Sequence, residues 1–116
     1  MTDAPILDPV HEVTDLENAD DFTKKHTPVV TLEPAGDGAV RVTVEVGHLV
    51  AHPNLPDHFI QWIALYAGGS EVARFELSAV ATAPVVSAVL VVDGGTVLRA
   101  VASCNLHGLW AGEAVV

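Results

Sequence analysis

Cys104 is the only cysteine in the 116-residue chain, and His107 follows it three positions later. A thiolate and an imidazole at that spacing can close on one metal ion from a single tight turn. Gly108 then lets the backbone leave the turn without a Cβ penalty. The pair alone recurs by chance, because a free cysteine often serves only as a small buried hydrophobe. The other histidines add weight. His26, His52, His58 and His107 all fall on loops or strand ends, and His52 and His58 share the short frame from Ala51 to Ile63. Four imidazoles and one thiolate make five donors with one position left open. Structural zinc favours a closed set of four, whereas iron accommodates five or six ligands. His11 lies in an acidic stretch and is expected to be solvated. His48, four positions before His52, is expected to be solvated or to support a ligand rather than to be one.

Elements that could position these residues follow from apolar periodicity and turn residues. Residues 1–21 carry seven acids and no lysine or arginine, and read as an acidic arm with one helical turn near Asp15–Asp21. Residues 22–116 form the remaining domain. Lys24 and Lys25 stand directly before His26, and Pro28 biases Thr27 to extended geometry, so His26 is expected on an irregular loop. Val29–Glu33 reads as a strand. In Val40–Val46 the valines share one face, while Arg41, Thr43 and Glu45 share the other. A loop from Gly47 to Asp57 carries His48 and His52. His58 opens a strand through Tyr66 that is apolar on both faces, as in a central position. Glu71–Ser78 follows. Val85–Val92, an Asp93-Gly94-Gly95 turn and Thr96–Ser103 read as a hairpin, and Trp110–Val116 as a last short strand. Six or seven short strands with no long helical pattern predict an all-β, antiparallel β-sandwich. Trp62 and Trp110 are expected to pack in the core or around the site.

Charge and composition narrow the function classes. Fifteen acids against five bases give a formal charge of −10, which argues against nucleic acid as a partner. No stretch reaches the ~20 apolar residues of a membrane helix, so no membrane association is expected. The first residues show neither a basic region nor an apolar run, so no signal peptide is read and a cytoplasmic location is the expectation.

Three motifs, taken in order, resemble superoxide reductase. They are Lys25-His26-Thr27-Pro28; His52-Pro53-Asn54 with Asp57-His58-Phe59-Ile60-Gln61-Trp62-Ile63; and Cys104-Asn105-Leu106-His107-Gly108-Leu109-Trp110. The similarity is to the one-iron, neelaredoxin type, which matches the catalytic domain of desulfoferrodoxin, and it spans residues 22 to about 113. It implies an immunoglobulin-like β-sandwich and one-electron reduction of superoxide to hydrogen peroxide at a mononuclear, non-haem iron. His26, His52, His58 and His107 would be the equatorial ligands, Cys104 the axial thiolate, and Lys25 the cation beside the open position. An external electron donor, often rubredoxin in the family, would restore the ferrous state, and a homo-oligomer, dimer or tetramer, is implied. The second iron centre of the two-iron members needs four cysteines, which this chain lacks. One position departs from the pattern. The family has a glutamate before the lysine, able to occupy the sixth position in the ferric form; this chain has Lys24, and the five ligands do not depend on it.

Two other readings use fewer of these residues. A cupredoxin-like electron carrier would also place Cys and His on a C-terminal loop, but it expects an axial methionine and fewer histidines. A non-catalytic module with structural zinc would leave one or two of the five donors unused.

Overall fold

A computed structural model describes residues 9–116, so expectations for residues 1–8 lie outside the described residues. Among the described residues the eight strands are β1 (Val10–Glu12), β2 (Pro28–Pro34), β3 (Ala39–Val46), β4 (Ile60–Ala67), β5 (Ser70–Glu76), β6 (Val85–Val91), β7 (Val97–Cys104) and β8 (Gly108–Val115). One short helix, α1 (Asp21–His26), precedes β2. The strands form a five-stranded sheet, β1-β8-β7-β4-β5, and a three-stranded sheet, β2-β3-β6. The fold is the expected immunoglobulin-like β-sandwich.

Alternation builds the core. Val40, Val42, Val44 and Val46 of β3 point inward and are buried, because residues two apart share a face of a strand. They join Val86 and Leu90 of β6 with Ile60, Ile63 and Leu65 of β4 and Leu98, Ala100 and Ala102 of β7. Cys104 belongs to the same apolar cluster. Strand β4 lies between β7 and β5, which explains its two apolar faces. On its outer side Trp62 packs near Val101, Leu109 and Ala111, under the Arg74 guanidinium, 4.1 Å from the ring centroid.

Several expectations are corrected. The arm is not wholly separate from the sandwich: β1 adds to the larger sheet and pairs in parallel with β8, so the sheet is not purely antiparallel. His11 is exposed but stacks on Trp110, with ring centroids 4.2 Å apart. The expected helical turn begins later, and His26 ends α1 instead of lying on an irregular loop. Strands β6 and β7 are not a hairpin. β6 pairs with β3 and β7 with β4 and β8, so the Asp93-Gly94-Gly95 turn carries the chain from one sheet to the other. Turn residues specify the local bend and not the sheet in which the next strand finds its partner. His58 lies outside β4, in a tight turn bridged to Leu55. The last strand begins at Gly108, two residues earlier than expected.

Candidate metal centre

Three local structures deliver the five donors to one end of the sandwich. Helix α1 supplies His26. Its N-cap is Asp20, whose carboxylate accepts from the Thr23 amide at 2.8 Å, and hydrogen bonding from the Thr23 side chain and then its amide holds the Asp20 carboxyl below its ordinary value. The Thr27 hydroxyl and amide both donate to the Thr23 carbonyl, at 2.7 and 3.1 Å, and so close the C-terminus just before Pro28. Lys24 and Lys25 lie in the last turn, where positive charge complements the helix dipole.

The second structure is the loop between β3 and β4. Gly47 has φ +83°, and a Cβ there would meet the His52 amide nitrogen at 2.5 Å. Only glycine allows the chain to fold back this closely on His52. Three residues after His52 the chain turns again: Leu55 and His58 exchange backbone hydrogen bonds of 2.9 and 3.2 Å, making a tight turn through Pro56 and Asp57. The third structure is the β7–β8 hairpin. Cys104 pairs with Gly108 across a three-residue loop, and Gly108 takes φ +80°, as expected of a residue closing such a loop. The Trp110 indole N–H donates to the His107 carbonyl at 3.0 Å, fixing the far side of the turn.

Together these elements place four imidazoles in a closed circuit. Neighbouring ring centroids lie 4.8 Å (His26–His52), 4.8 Å (His52–His58), 5.1 Å (His58–His107) and 4.9 Å (His107–His26) apart, with interplanar angles of 75–89°. His26 and His58 face each other across the circuit at 6.3 Å. Donor atoms of His26, His52, His58 and Cys104 all lie within 4.8 Å of one another. His107 is not in that mutual group, but its Nδ1 is 3.0 Å from His26 Nε2 and 3.9 Å from Cys104 Sγ.

Hydrogen bonds fix which nitrogen each ring offers. A carbonyl can only accept, so His26 Nδ1–H donates to Phe22 O at 2.6 Å and His52 Nδ1–H donates to Pro53 O at 2.6 Å. Their Nε2 atoms are left with lone pairs directed inward, the arrangement usual for metal-bound histidine. His52 Nε2 and His58 Nε2 are buried and have no hydrogen-bond partner. Each such atom costs about 1–3 kcal/mol unless something satisfies it. Two orphaned imidazole nitrogens, beside a buried thiol and two further imidazoles, fit a transition-metal ion and fit little else.

Electrostatics keep the rings ready for a cation. Burial pushes the His52 pKa down to about 4, and the neighbouring histidines push it the same way. Burial also lowers His26, helped by His107, His58 and the Lys25 ammonium. Both rings are therefore neutral near pH 7, as a metal ligand must be. Lys25 is half-buried at the end of α1, and its charge is felt at His26. His48 stays outside the cluster: it is exposed and pairs with Glu45 at 2.7 Å. His11 connects to the centre through Trp110, whose ring stacks 5.0 Å from that of His26.

The desulfoferrodoxin family model matches residues 18–113. The chain belongs to the desulfoferrodoxin family. A putative superoxide reductase of Archaeoglobus fulgidus is 34% identical over 118 residues, covering 86% of this chain and 94% of that protein. The superoxide reductase of Pyrococcus horikoshii is 39% identical over 99 residues, covering 78% of this chain and 85% of that one. Among solved structures, the superoxide reductase of Nanoarchaeum equitans superposes with a TM-score of 0.77 at 30% identity, covering 93% of this chain and all of that one. A neelaredoxin-type superoxide reductase variant from Archaeoglobus fulgidus, in the reduced form, gives 0.78 at 35% identity, covering 85% and 94%.

Placed in this desulfoferrodoxin-family frame, all five donors suggested by the sequence come together at one site. Three contributors escaped sequence reasoning. Phe22 orients His26 through its carbonyl, which no side-chain pattern reveals. Gly47 permits the fold-back onto His52, and a glycine opening a long loop gave only a general turn signal. Gly112 sits where a Cβ would lie 2.2 Å from the Pro28 carbonyl, so β8 closely backs the segment that follows His26. A glycine inside a strand is the one available hint of such a close approach.

Proposed function

We propose that the protein is a superoxide reductase, an oxidoreductase that converts superoxide to hydrogen peroxide at a mononuclear non-haem iron. His26, His52, His58 and His107 hold the metal through nitrogen, and Cys104 holds it through sulfur. The convergence of four imidazoles and one buried thiol, with two imidazole nitrogens unpartnered, carries the reading. When bound, the iron supplies one electron, which with two protons takes one superoxide to one hydrogen peroxide.

The chain's residues account for the rest. Four nitrogens around the circuit and the thiolate leave one face for a small anion. Lys25, with Lys24 beside it, supplies positive charge near His26 in a protein of net charge −10, and a local field can steer a small anion despite the global repulsion. The apolar cluster around Cys104 excludes water from the sulfur and so preserves its donor strength. The Phe22 and Pro53 carbonyls hold His26 and His52 in the tautomer that presents Nε2.

An external one-electron donor such as rubredoxin completes the cycle, and the protein works in the cytoplasm as a homo-oligomer, dimer or tetramer. Among the described residues, no helix is long and apolar enough to cross a membrane. Residues 22–116 hold every proposed ligand, and the acidic stretch before them adds β1 to the edge of the larger sheet. The test is metal analysis of protein purified from its native host, together with the visible spectrum of its Cys104→Ser variant. Iron near one per chain, with a thiolate band that the variant loses, supports the assignment. Colourless zinc protein, or a band that survives the substitution, overturns it.

A further inference from the structure

The β4–β7 ladder runs out at the pair Ile60–Cys104, with a register shift between Ile60 and Trp62. Beyond that point the two chain segments carry His58 on one side and the Cys104–His107 turn on the other, and no regular pairing joins them. Asn105 fills the gap. Its side-chain Oδ1 accepts from the Phe59 amide at 2.9 Å, and its Nδ2 donates to the Asp57 carbonyl at 2.9 Å. Its own backbone amide donates to the Phe59 carbonyl at 3.2 Å. The carboxamide acts as a surrogate peptide group, offering one acceptor and one donor where a continued strand would have offered them.

The residues held, 57 and 59, flank His58. The backbone groups of His58 itself are taken by Leu55 from the other side. An asparagine at the start of a hairpin loop commonly bonds within its own turn. Here both ends of the amide reach across to the other segment instead. We infer that Asn105 is a positioning residue that locks His58 in register with Cys104, so that one nitrogen donor and the thiolate keep a fixed separation. The inference rests on the ligand assignment proposed above. Partners that orient metal ligands typically matter by 10–100-fold in metal affinity.

The experiment is Co2+ titration of the metal-free protein, with Co2+ as the only probe and the thiolate-to-cobalt absorption as the readout. Asn105→Ala should bind Co2+ about tenfold more weakly and shift the absorption. Asn105→Asp keeps the acceptor for Phe59 N–H and loses the donor to Asp57, so it should fall between the wild type and Asn105→Ala. A double-mutant cycle separates positioning from general loosening. In a His58→Ala background, Asn105→Ala should change Co2+ affinity less than about twofold, whereas in a His52→Ala background the tenfold loss should persist. Should Asn105→Ala fail to fold, the same cycles are run with Asn105→Asp, whose smaller penalty should vanish in the same background. Equal penalties in both backgrounds, or wild-type affinity and spectrum in both Asn105 variants, would overturn the role given to Asn105 and leave the metal centre standing. Absence of Co2+ binding by the wild type would overturn the metal centre itself.

Discussion

Gly112→Ala probes how β8 holds the segment that delivers His26. A Cβ at position 112 would lie 2.2 Å from the Pro28 carbonyl oxygen and 3.7 Å from Thr27 Cγ2. Ordinary contact begins near 3.4 Å, so the strands must part by about 1.2 Å at that point. The obstacle is backbone on both sides, so no rotamer change relieves it. Overpacking of this kind costs about 1–3 kcal/mol, and at this size each kcal/mol lowers Tm by roughly 4 °C. The expected result is a Tm lower by about 4–12 °C in the metal-free protein. Pro28 follows His26 by two residues, so the displacement should also weaken Co2+ binding, by about tenfold. Gly94→Ala is the control, since nothing lies within 4 Å of a Cβ there and its φ is unremarkable. It should leave Tm within a few degrees and Co2+ affinity unchanged. Scanning calorimetry and cobalt titration of both variants decide the matter. A Gly112→Ala protein that melts and binds metal like the wild type would refute the close approach of β2 to β8.

Two further predictions concern charge. Lys25→Ala should slow the second-order reaction of the reduced protein with superoxide about threefold, the effect of one unit charge roughly 6 Å from the anion's path in a watery dielectric. Its ionic-strength dependence should flatten, Lys24→Ala should do less in the same direction, and unchanged pulse-radiolysis rates for Lys25→Ala would remove it from the steering role. The folded His52 pKa, about 4, lies below its ordinary 6.5. The unfolded chain therefore binds more protons between those values, and the contribution is present above pH 6.5 and lost as pH falls toward 4. Metal-free protein should lose on the order of 3 kcal/mol from this group across that window, and His26 should add in the same direction. Urea denaturation at pH 7.5 and 4.5 measures the loss, and His52→Gln should show a visibly smaller one; equal losses would contradict the burial of a neutral His52.

The candidate donors were legible in the sequence because they sit in short, local frames. The frames Lys25–Pro28, Ala51–Ile63 and Cys104–Trp110 each fix side chains within a few residues, and short-range geometry survives folding. The valine alternation of β3 was legible for the same local reason. What the sequence obscured is long-range. The Asp93-Gly94-Gly95 turn looks alike whether it joins neighbours or crosses between sheets, so the local pattern suggests a β6–β7 hairpin although the two strands lie in different sheets. Helix α1 has six residues, too few to show a period of 3.6. The parallel pairing of β1 with β8 joins residues about a hundred positions apart, and three residues carry little apolar pattern. Asn105 and Gly112 act on partners far away in sequence, and nothing in their own neighbourhoods names those partners.

The central claim, that this centre reduces superoxide instead of dismutating it, is tested most directly by product stoichiometry. Protein loaded with iron and fully reduced should be mixed with a limiting amount of superoxide under anaerobic conditions, with hydrogen peroxide and dioxygen both quantified. The account predicts one hydrogen peroxide per superoxide consumed, one iron oxidised per superoxide, and no dioxygen. One dioxygen for every two superoxide consumed, with the iron left reduced, would contradict it.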